Sequence, residues 1–412
     1  MGVISVSIDS IAAGGDGVGR SNGLVVFVPR TAPGDVVTAQ IAGKGHFARG
    51  ALASVVSPAP VRIDPPCPHY TRDKCGGCQL QHMTYDSQLV AKQVIIRDSI
   101  QRIGKRVVDA PAIERSPRDW RYRTKLTLAM RRRGSRWIAG LHPYDDPARI
   151  FPLADCPITD RGVVAAWREI MDADAYFPDA KELRGSVRLT SGGPTFVMMG
   201  GVSWGARDQF AAAVPSIAAV WWESADEKPR KLLFDKRKDR SPGASFAQVN
   251  SEMAEVLGAY LVELVMSYEP RSVIDAYSGS GRTAVALSER GVAVTAIELD
   301  ADASTWAATQ LPTSSRAINA RVEDALPGVL PADVVILNPP RAGVEKRVTE
   351  TLEADAPHVK AVIYVSCNPA TLARDLARLP SYRIESLRAF DMFPQTAHVE
   401  TVCELRPAAE TA

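Results

Sequence analysis

The chain has 412 residues, and its 49 Lys and Arg against 47 Asp and Glu give a formal charge of +2; at about 150 residues per domain this length corresponds to two or three domains. Its 46% apolar and 23% charged residues exclude a disordered chain, and no apolar run approaches the roughly 18 residues of a membrane span. Six Cys are too few for a disulfide scaffold, and their clustering points to a metal site in a reducing compartment. The first 30 residues carry two Asp and lack the basic start and apolar core of a secretory signal, so a cytoplasmic location is expected. The small net charge conceals a division: residues 1–240 hold 35 basic and 25 acidic side chains, net +10, and residues 241–412 hold 14 and 22, net −8. Such asymmetry suggests a polyanion-facing part joined to an acidic part with a different task.

Residues 1–58 read as a small β-barrel: the turn signals at 14–19 and Thr31–Asp35 separate the β-rich runs Gly23–Pro29, Val36–Ile41 and Gly50–Ser57. Gly43–Arg49 is expected to be an exposed loop whose Lys44, His46, Phe47 and Arg49 can touch RNA. The Pro-rich stretch 58–66 opens a central region over 59–240. Cys67, Cys75 and Cys78 cluster there, with Cys156 further along. Four thiolates complete either a tetrahedral zinc site or a four-iron cluster, and residue chemistry alone leaves the metal open. Gly76 and Gly77 let the backbone wrap close and donate N–H bonds to sulfur. Apolar spacing at Tyr85, Leu89, Ile96, Ile100 and Ile103 predicts an amphipathic helix over 84–104.

Residues 115–136 contain nine basic side chains and one acid, Asp119, interleaved with Trp120 and Tyr122 and followed by Trp137. Cations neutralise phosphates and aromatic faces stack unpaired bases, so Arg121, Arg123, Lys125, Arg131, Arg132 and Arg133 are candidate RNA contacts. The segment 183–240 reads as further strands. From Ser241 to the end, strands at Ser272–Tyr277, Ala293–Glu298, Asp333–Asn338, Ala361–Ser366 and Val399–Leu405 alternate with helical stretches, the pattern of a doubly wound α/β domain.

In that domain Val273-Ile-Asp-Ala-Tyr-Ser-Gly-Ser-Gly-Arg-Thr-Ala284 leaves a strand and enters a helix. Gly279 and Gly281 permit a tight turn and close approach of a cofactor, and Asp275 and Tyr277 share the loop. Glu298, at the end of the next strand, can accept from two ribose hydroxyls, and Asp324 from an adenine amine. The spelling does not separate a dinucleotide from S-adenosylmethionine. Cys367 stands at the carboxyl end of a strand and can act as a nucleophile if its thiolate is favoured. Glu400, in Asp391-Met-Phe-Pro-Gln-Thr-Ala-His-Val-Glu400, can act as a general base, and Cys403 reads as core.

Taken together these motifs resemble the RNA (uracil-5-)-methyltransferase family over nearly the whole chain, nearest to its 23S ribosomal RNA 5-methyluridine members. The resemblance implies a TRAM-like RNA-binding barrel at 1–58, a [4Fe–4S] cluster on Cys67, Cys75, Cys78 and Cys156, and an S-adenosylmethionine-dependent Rossmann-like methyltransferase domain at 241–412. Gln248, in Phe246-Ala-Gln-Val-Asn250, would contact the cofactor, and the 84–104 helix would pack on the methyltransferase domain. The implied chemistry is methylation of carbon 5 of an unpaired, flipped-out uridine through a covalent bond to Cys367, with Glu400 as base. Asn338, in Asn-Pro-Pro-Arg341, stands where the family usually has Asp, and is also expected near the cofactor. Other readings are a transfer RNA target, an amine N-methyltransferase of RNA, and a non-catalytic RNA-binding assembly factor. A monomer is expected.

Overall fold

The computed structural model describes residues 2–42, 47–226, 230–238, 241–245, 247–355 and 358–408. In chain order, β1 (Gly2–Ile11), β2 (Gly17–Ser21), β3 (Leu24–Val28), β4 (Val36–Ala42) and β5 (Phe47–Ser57) close a barrel in the order β1-β2-β3-β5-β4. Alternation along these strands turns Val6, Ile8, Val26, Val28, Val37 and Ala39 into its core. His46 and Lys44 of the expected loop lie outside the described residues, whereas Phe47 and Arg49 begin β5 rather than ending a loop.

After the barrel come the short α1 (Pro68–Thr71), the 18-residue α2 (Tyr85–Arg102) and β6 (Ala112–Glu114). Then follow β7 (Lys125–Arg133), β8 (Arg136–Leu141), β9 (Phe151–Pro152), α3 (Arg161–Asp172), β10 (Glu182–Thr190), β11 (Gly193–Met199), α4 (Arg207–Ala213), β12 (Ala219–Glu223) and β13 (Lys231–Asp235). These strands make one sheet, ordered β13-β12-β11-β10-β7-β8-β9. One face is apolar: Leu126, Leu128 and Met130 of β7 pack with Val187, Phe196 and Met198 against Val163, Trp167 and Ile170 of α3.

The remainder alternates helix and strand: α5 (Ser251–Met266), β14 (Ser272–Ala276), α6 (Arg282–Ser288), β15 (Ala293–Glu298), α7 (Ala301–Gln310), β16 (Arg316–Asn319), α8 (Val322–Ala325), β17 (Val334–Leu337), α9 (Lys346–Ala354), β18 (Ala361–Ser366), α10 (Pro369–Leu376), β19 (Tyr382–Phe390) and β20 (Glu400–Pro407). The sheet order is β16-β15-β14-β17-β18-β20-β19-β6. Neighbours from β16 to β18 run parallel, β20 enters antiparallel beside β18, and β6 closes the far edge parallel to β19. β16, β19 and β6 were not anticipated: β16 is short and little buried, and β6 gains strand character only by pairing with a distant edge.

Both faces of this sheet are covered. Met253, Leu257, Leu261 and Val265 of α5 pack on one, and Ile96 and Ile100 of α2, fully buried, join Leu372 and Leu376 of α10 on the other. The described chain forms two compact units: Met1–Asp64, His82–Pro117 and Glu252–Ala412 make the first, and Pro65–Gln81 with Arg118–Ser251 the second. The barrel, α2 and the α/β sheet therefore share a unit, and the cysteine segment shares the other with the seven-stranded sheet.

Candidate active site

The order of the parallel strands reverses between β14 and β17, so loops leaving their carboxyl ends part and leave a crevice, the place where open α/β sheets bind ligands. Asp275 and Tyr277 leave β14 there. Tyr277, Gly279 and Gly281 all have positive φ (62°, 56° and 81°). A Cβ on Gly281 would lie 2.7 Å from that of Ala307 in α7, so this turn admits only glycine there without displacement. Glu298, at the end of β15, accepts from the backbone N–H of Gly279 and of Asp300, both at 2.8 Å, one on each carboxylate oxygen. These bonds fix the carboxylate toward the loop while leaving lone pairs for hydroxyl donors.

Asp275 is buried, and one of its oxygens has no hydrogen-bond partner among the described residues. Burial pushes its pKa up to about 7; the Ala284 N–H opposes this shift and the Glu298 charge adds to it. A cationic donor aimed at this oxygen would restore the ionised form. Asp324 sits on α8, exposed, 3.1 Å from Arg347. Asn338 follows β17, exposed, its N–H donating to the Ala276 carbonyl at 3.1 Å. Gln248 lies half-buried in the second unit.

Cys367 follows β18 and Glu400 opens β20. Ser366 is paired with Thr401 across these antiparallel strands, so the two side chains emerge next to each other at the carboxyl edge. Asn368 caps α10, accepting from the Ala370 N–H at 3.1 Å, and its amide donates to the Arg341 carbonyl at 3.3 Å. Arg341 acts on both groups: its positive charge favours ionisation of the Cys367 thiol and of Glu400. Burial first, then the Glu400 charge, push the Cys367 thiol up against this pull. Glu400 is buried with Oε2 lacking a hydrogen-bond partner among the described residues, and burial raises its pKa to about 8. A half-buried thiol, a cation and a desolvated carboxyl thus share one edge, a set suited to nucleophilic addition and proton removal.

Residues 309–406 match the sequence profile of tRNA (uracil-5-)-methyltransferases. Uncharacterized RNA methyltransferases are similar over nearly their full length. That of Gloeobacter violaceus is 32% identical over 98% of this chain and 96% of its own, and that of Protochlamydia amoebophila 30% over 97% and 96%. The chain belongs to the RNA (uracil-5-)-methyltransferase family. It is an S-adenosylmethionine-dependent RNA (uracil-5-)-methyltransferase. The crystal structure of Pyrococcus abyssi tRNA (uracil-54, C5)-methyltransferase in complex with S-adenosyl-L-homocysteine shares its fold, with a TM-score of 0.71 at 24% identity over 98% of this chain and 100% of that one. No described helix is long and apolar enough to cross a membrane.

In the second unit of this methyltransferase, Cys67, Cys75 and Cys78 are buried, Cys156 is half-buried, and none of the four is in a disulfide. Cys67, Tyr70, Cys78, Tyr122 and Ile158 form one cluster, with Trp120 and Cys156 packed against it. The His69 and Tyr70 N–H groups point at the Cys67 sulfur, and the Gly77 N–H donates to that of Cys75 at 3.4 Å. Burial pushes the Cys78 thiol far up, and the charges of Cys156, Cys75 and Cys67 add to it. Among the described residues no group of three or more His, Cys, Asp or Glu is arranged to hold a metal ion.

The expected RNA contacts divide. Arg121 grips Asp155 with both ends of its fork, at 2.7 and 2.6 Å, and donates to the Cys156 and Thr159 carbonyls, so it holds the Cys156 loop instead of facing solvent. Arg123 donates to the Lys125 carbonyl; Arg131 pairs with Glu182 at 2.8 Å and Arg132 with Asp179 at 3.0 Å, both near the surface, and Arg133 is exposed. Lys125 is half-buried, and burial plus the surrounding Arg188, Arg123, Arg230 and Arg184 lower its pKa to about 8. Tyr122 and Trp137 are core residues, not stacking platforms: Tyr122 is fully buried, and Trp137 packs edge-on against Phe177.

Proposed function

We propose that this methyltransferase modifies carbon 5 of a specific unpaired uridine, in 23S ribosomal RNA, through a covalent bond between Cys367 and carbon 6 of the base. The observation that supports it most is the meeting of Cys367, Arg341 and Glu400 at one sheet edge beside the glycine turn. The Arg341 guanidinium favours the thiolate, and Sγ adds to carbon 6, which turns the carbon 5–carbon 6 double bond into an enolate rich at carbon 5. S-adenosylmethionine supplies the methyl group and departs as the neutral thioether. Glu400 then takes the carbon 5 proton, the double bond re-forms, and the carbon 6–sulfur bond breaks to return the thiolate. Asp275, Tyr277, Gly279, Gly281 and Glu298 would bind the donor, with Asp324 and Asn338 completing its surroundings, and the family's Asp being Asn338 here bears on base recognition more than on these steps.

A [4Fe–4S] cluster on Cys67, Cys75, Cys78 and Cys156 fits the buried thiol set and its N–H donors. Held by these four thiols, it would cross-link the Cys156 loop to the Cys67–Cys78 segment without a redox role. The exposed arginines Arg131, Arg132 and Arg133 would meet RNA phosphates, and the enzyme would act as a cytoplasmic monomer. A transfer RNA target is the second reading, favoured by the profile matched by residues 309–406. Mapping 5-methyluridine in total RNA with and without the gene tests the target: a lost mark in 23S ribosomal RNA is expected, and a lost mark in transfer RNA alone supports the second reading. Retained uridine methylation by Cys367→Ala would refute the covalent route.

A further inference from the structure

The segment from Asp391 to His398, between β19 and the base at the start of β20, is held by a helix that lies some three hundred residues earlier. Lys92 of α2 and Asp391 are both fully buried, with Nζ 2.5 Å from Oδ1, and the same ammonium donates to the Phe393 carbonyl at 3.1 Å. One turn earlier, Gln88 accepts from the Gln395 N–H at 3.0 Å and donates to the Gln395 side-chain oxygen at 3.0 Å and to the Met83 carbonyl at 3.0 Å. Gln395 has φ 69°, a conformation that a side chain other than glycine adopts only when its surroundings impose it. The Phe393 carbonyl also accepts from Thr396, and the Thr396 hydroxyl accepts from the His398 N–H at 3.2 Å, two residues before Glu400.

Burying two charges is costly, and a pair of this kind is weak as a source of stability but strong as a determinant of one arrangement. We infer that Lys92 and Gln88 of α2 are positioning residues that fix the Asp391–His398 segment, and through it the Glu400 carboxyl, for removal of the carbon 5 proton. This rests on the assignment of Cys367 and Glu400 above. Its distinctive consequence is stepwise: a displaced base slows proton removal after the methyl group has moved, so enzyme accumulates joined to RNA.

The test uses the full chain with its RNA substrate. Lys92→Met leaves Asp391 unpaired and can unfold the protein, so the informative variant is Lys92→Met combined with Asp391→Leu, which removes both charges. It is expected to unfold at the wild-type temperature or above and to keep the wild-type KM for S-adenosylmethionine. Turnover is expected to fall about 100-fold, the scale of an ångström-sized misplacement, with a denaturant-stable Cys367–RNA adduct building up. Lys92→Arg, which retains the cation, should recover part of the turnover. Wild-type turnover in a folded double variant would overturn the inference, as would slow turnover without adduct. Glu400→Gln, run in parallel, separates the two claims: if it forms no adduct and methylates normally, the base assignment itself has failed, whatever α2 does.

Discussion

At the residue scale the decisive quantity is the desolvation of Glu400. Its carboxyl carries a pKa of about 8 because burial outweighs the pull of Arg341. A base so placed is protonated at neutral pH in the free enzyme and becomes competent as pH rises. The thiol of Cys367, also raised, moves in the same sense. The kcat/KM for RNA methylation is therefore expected to climb with pH through about 8 and then level, and a profile flat across that region would remove Glu400 from its role. The same shift has a stability sign. The protonated form is favoured by the folded state, so its benefit is complete below the unfolded carboxyl range and is lost as pH rises to about 8. Glu400→Gln should accordingly raise the unfolding free energy at pH 8 by on the order of 2 kcal/mol and change little in acid, measured by denaturant titration. Arg341→Ala should reduce turnover by at least about tenfold and move the Cys367 titration upward, read by thiol alkylation against pH.

At the element scale the glycine turn after β14 joins sequence to ligand geometry. Gly281→Val combines a positive φ with a Cβ 2.7 Å from Ala307. It is expected to weaken S-adenosylmethionine binding by about tenfold or more in calorimetry, with a stability loss of about 1–3 kcal/mol. The turn was legible in the sequence because glycine spacing and strand alternation are local signals. The strand positions of Cys367 and Glu400 were legible for the same reason. The partners of these residues were not. Arg341, Lys92, Gln88 and Asp391 look like ordinary helix or loop residues, and only the packing of α2 joins Lys92 and Gln88 to the Asp391–His398 segment. Periodicity also misjudged the aromatic residues of the basic stretch. Tyr122 and Trp137 were read beside arginines as base-stacking groups, but Trp137 points into the core because adjacent positions in β8 face opposite sides, and Tyr122, ahead of β7, packs in the cluster of Cys67, Tyr70, Cys78 and Ile158.

At the scale of the whole molecule, the basic excess of the first 240 residues spans both units, since the barrel belongs with the α/β sheet and the cysteine segment with the seven-stranded sheet. Part of that excess is internal: Arg121 holds the Cys156 loop and Lys92 holds the base-bearing segment. The exposed arginines are the ones proposed to meet RNA. Binding is expected to weaken steeply with salt, and Arg133→Ala should lessen the slope of log affinity against log salt by about one. Protein prepared without air is expected to be coloured and to contain iron. A colourless, zinc-bearing product would replace the cluster by a single ion. Removal of the metal should unfold the second unit before the first, followed by hydrogen exchange.

The sequence by itself placed the glycine turn, Cys367, Glu400 and the thiol segment along the chain, and indicated that an α/β sheet carries the first three. These follow from short-range spacing, which needs no knowledge of what lies across the core. Tertiary structure alone decided which charges are available and which are structural. It also decided that the helix Tyr85–Arg102 is the buried support of a segment some three hundred residues away. The reason is physical. An ammonium or guanidinium has the same spelling whether it meets water, a phosphate or a buried carboxylate, and only folding settles which of these partners it has.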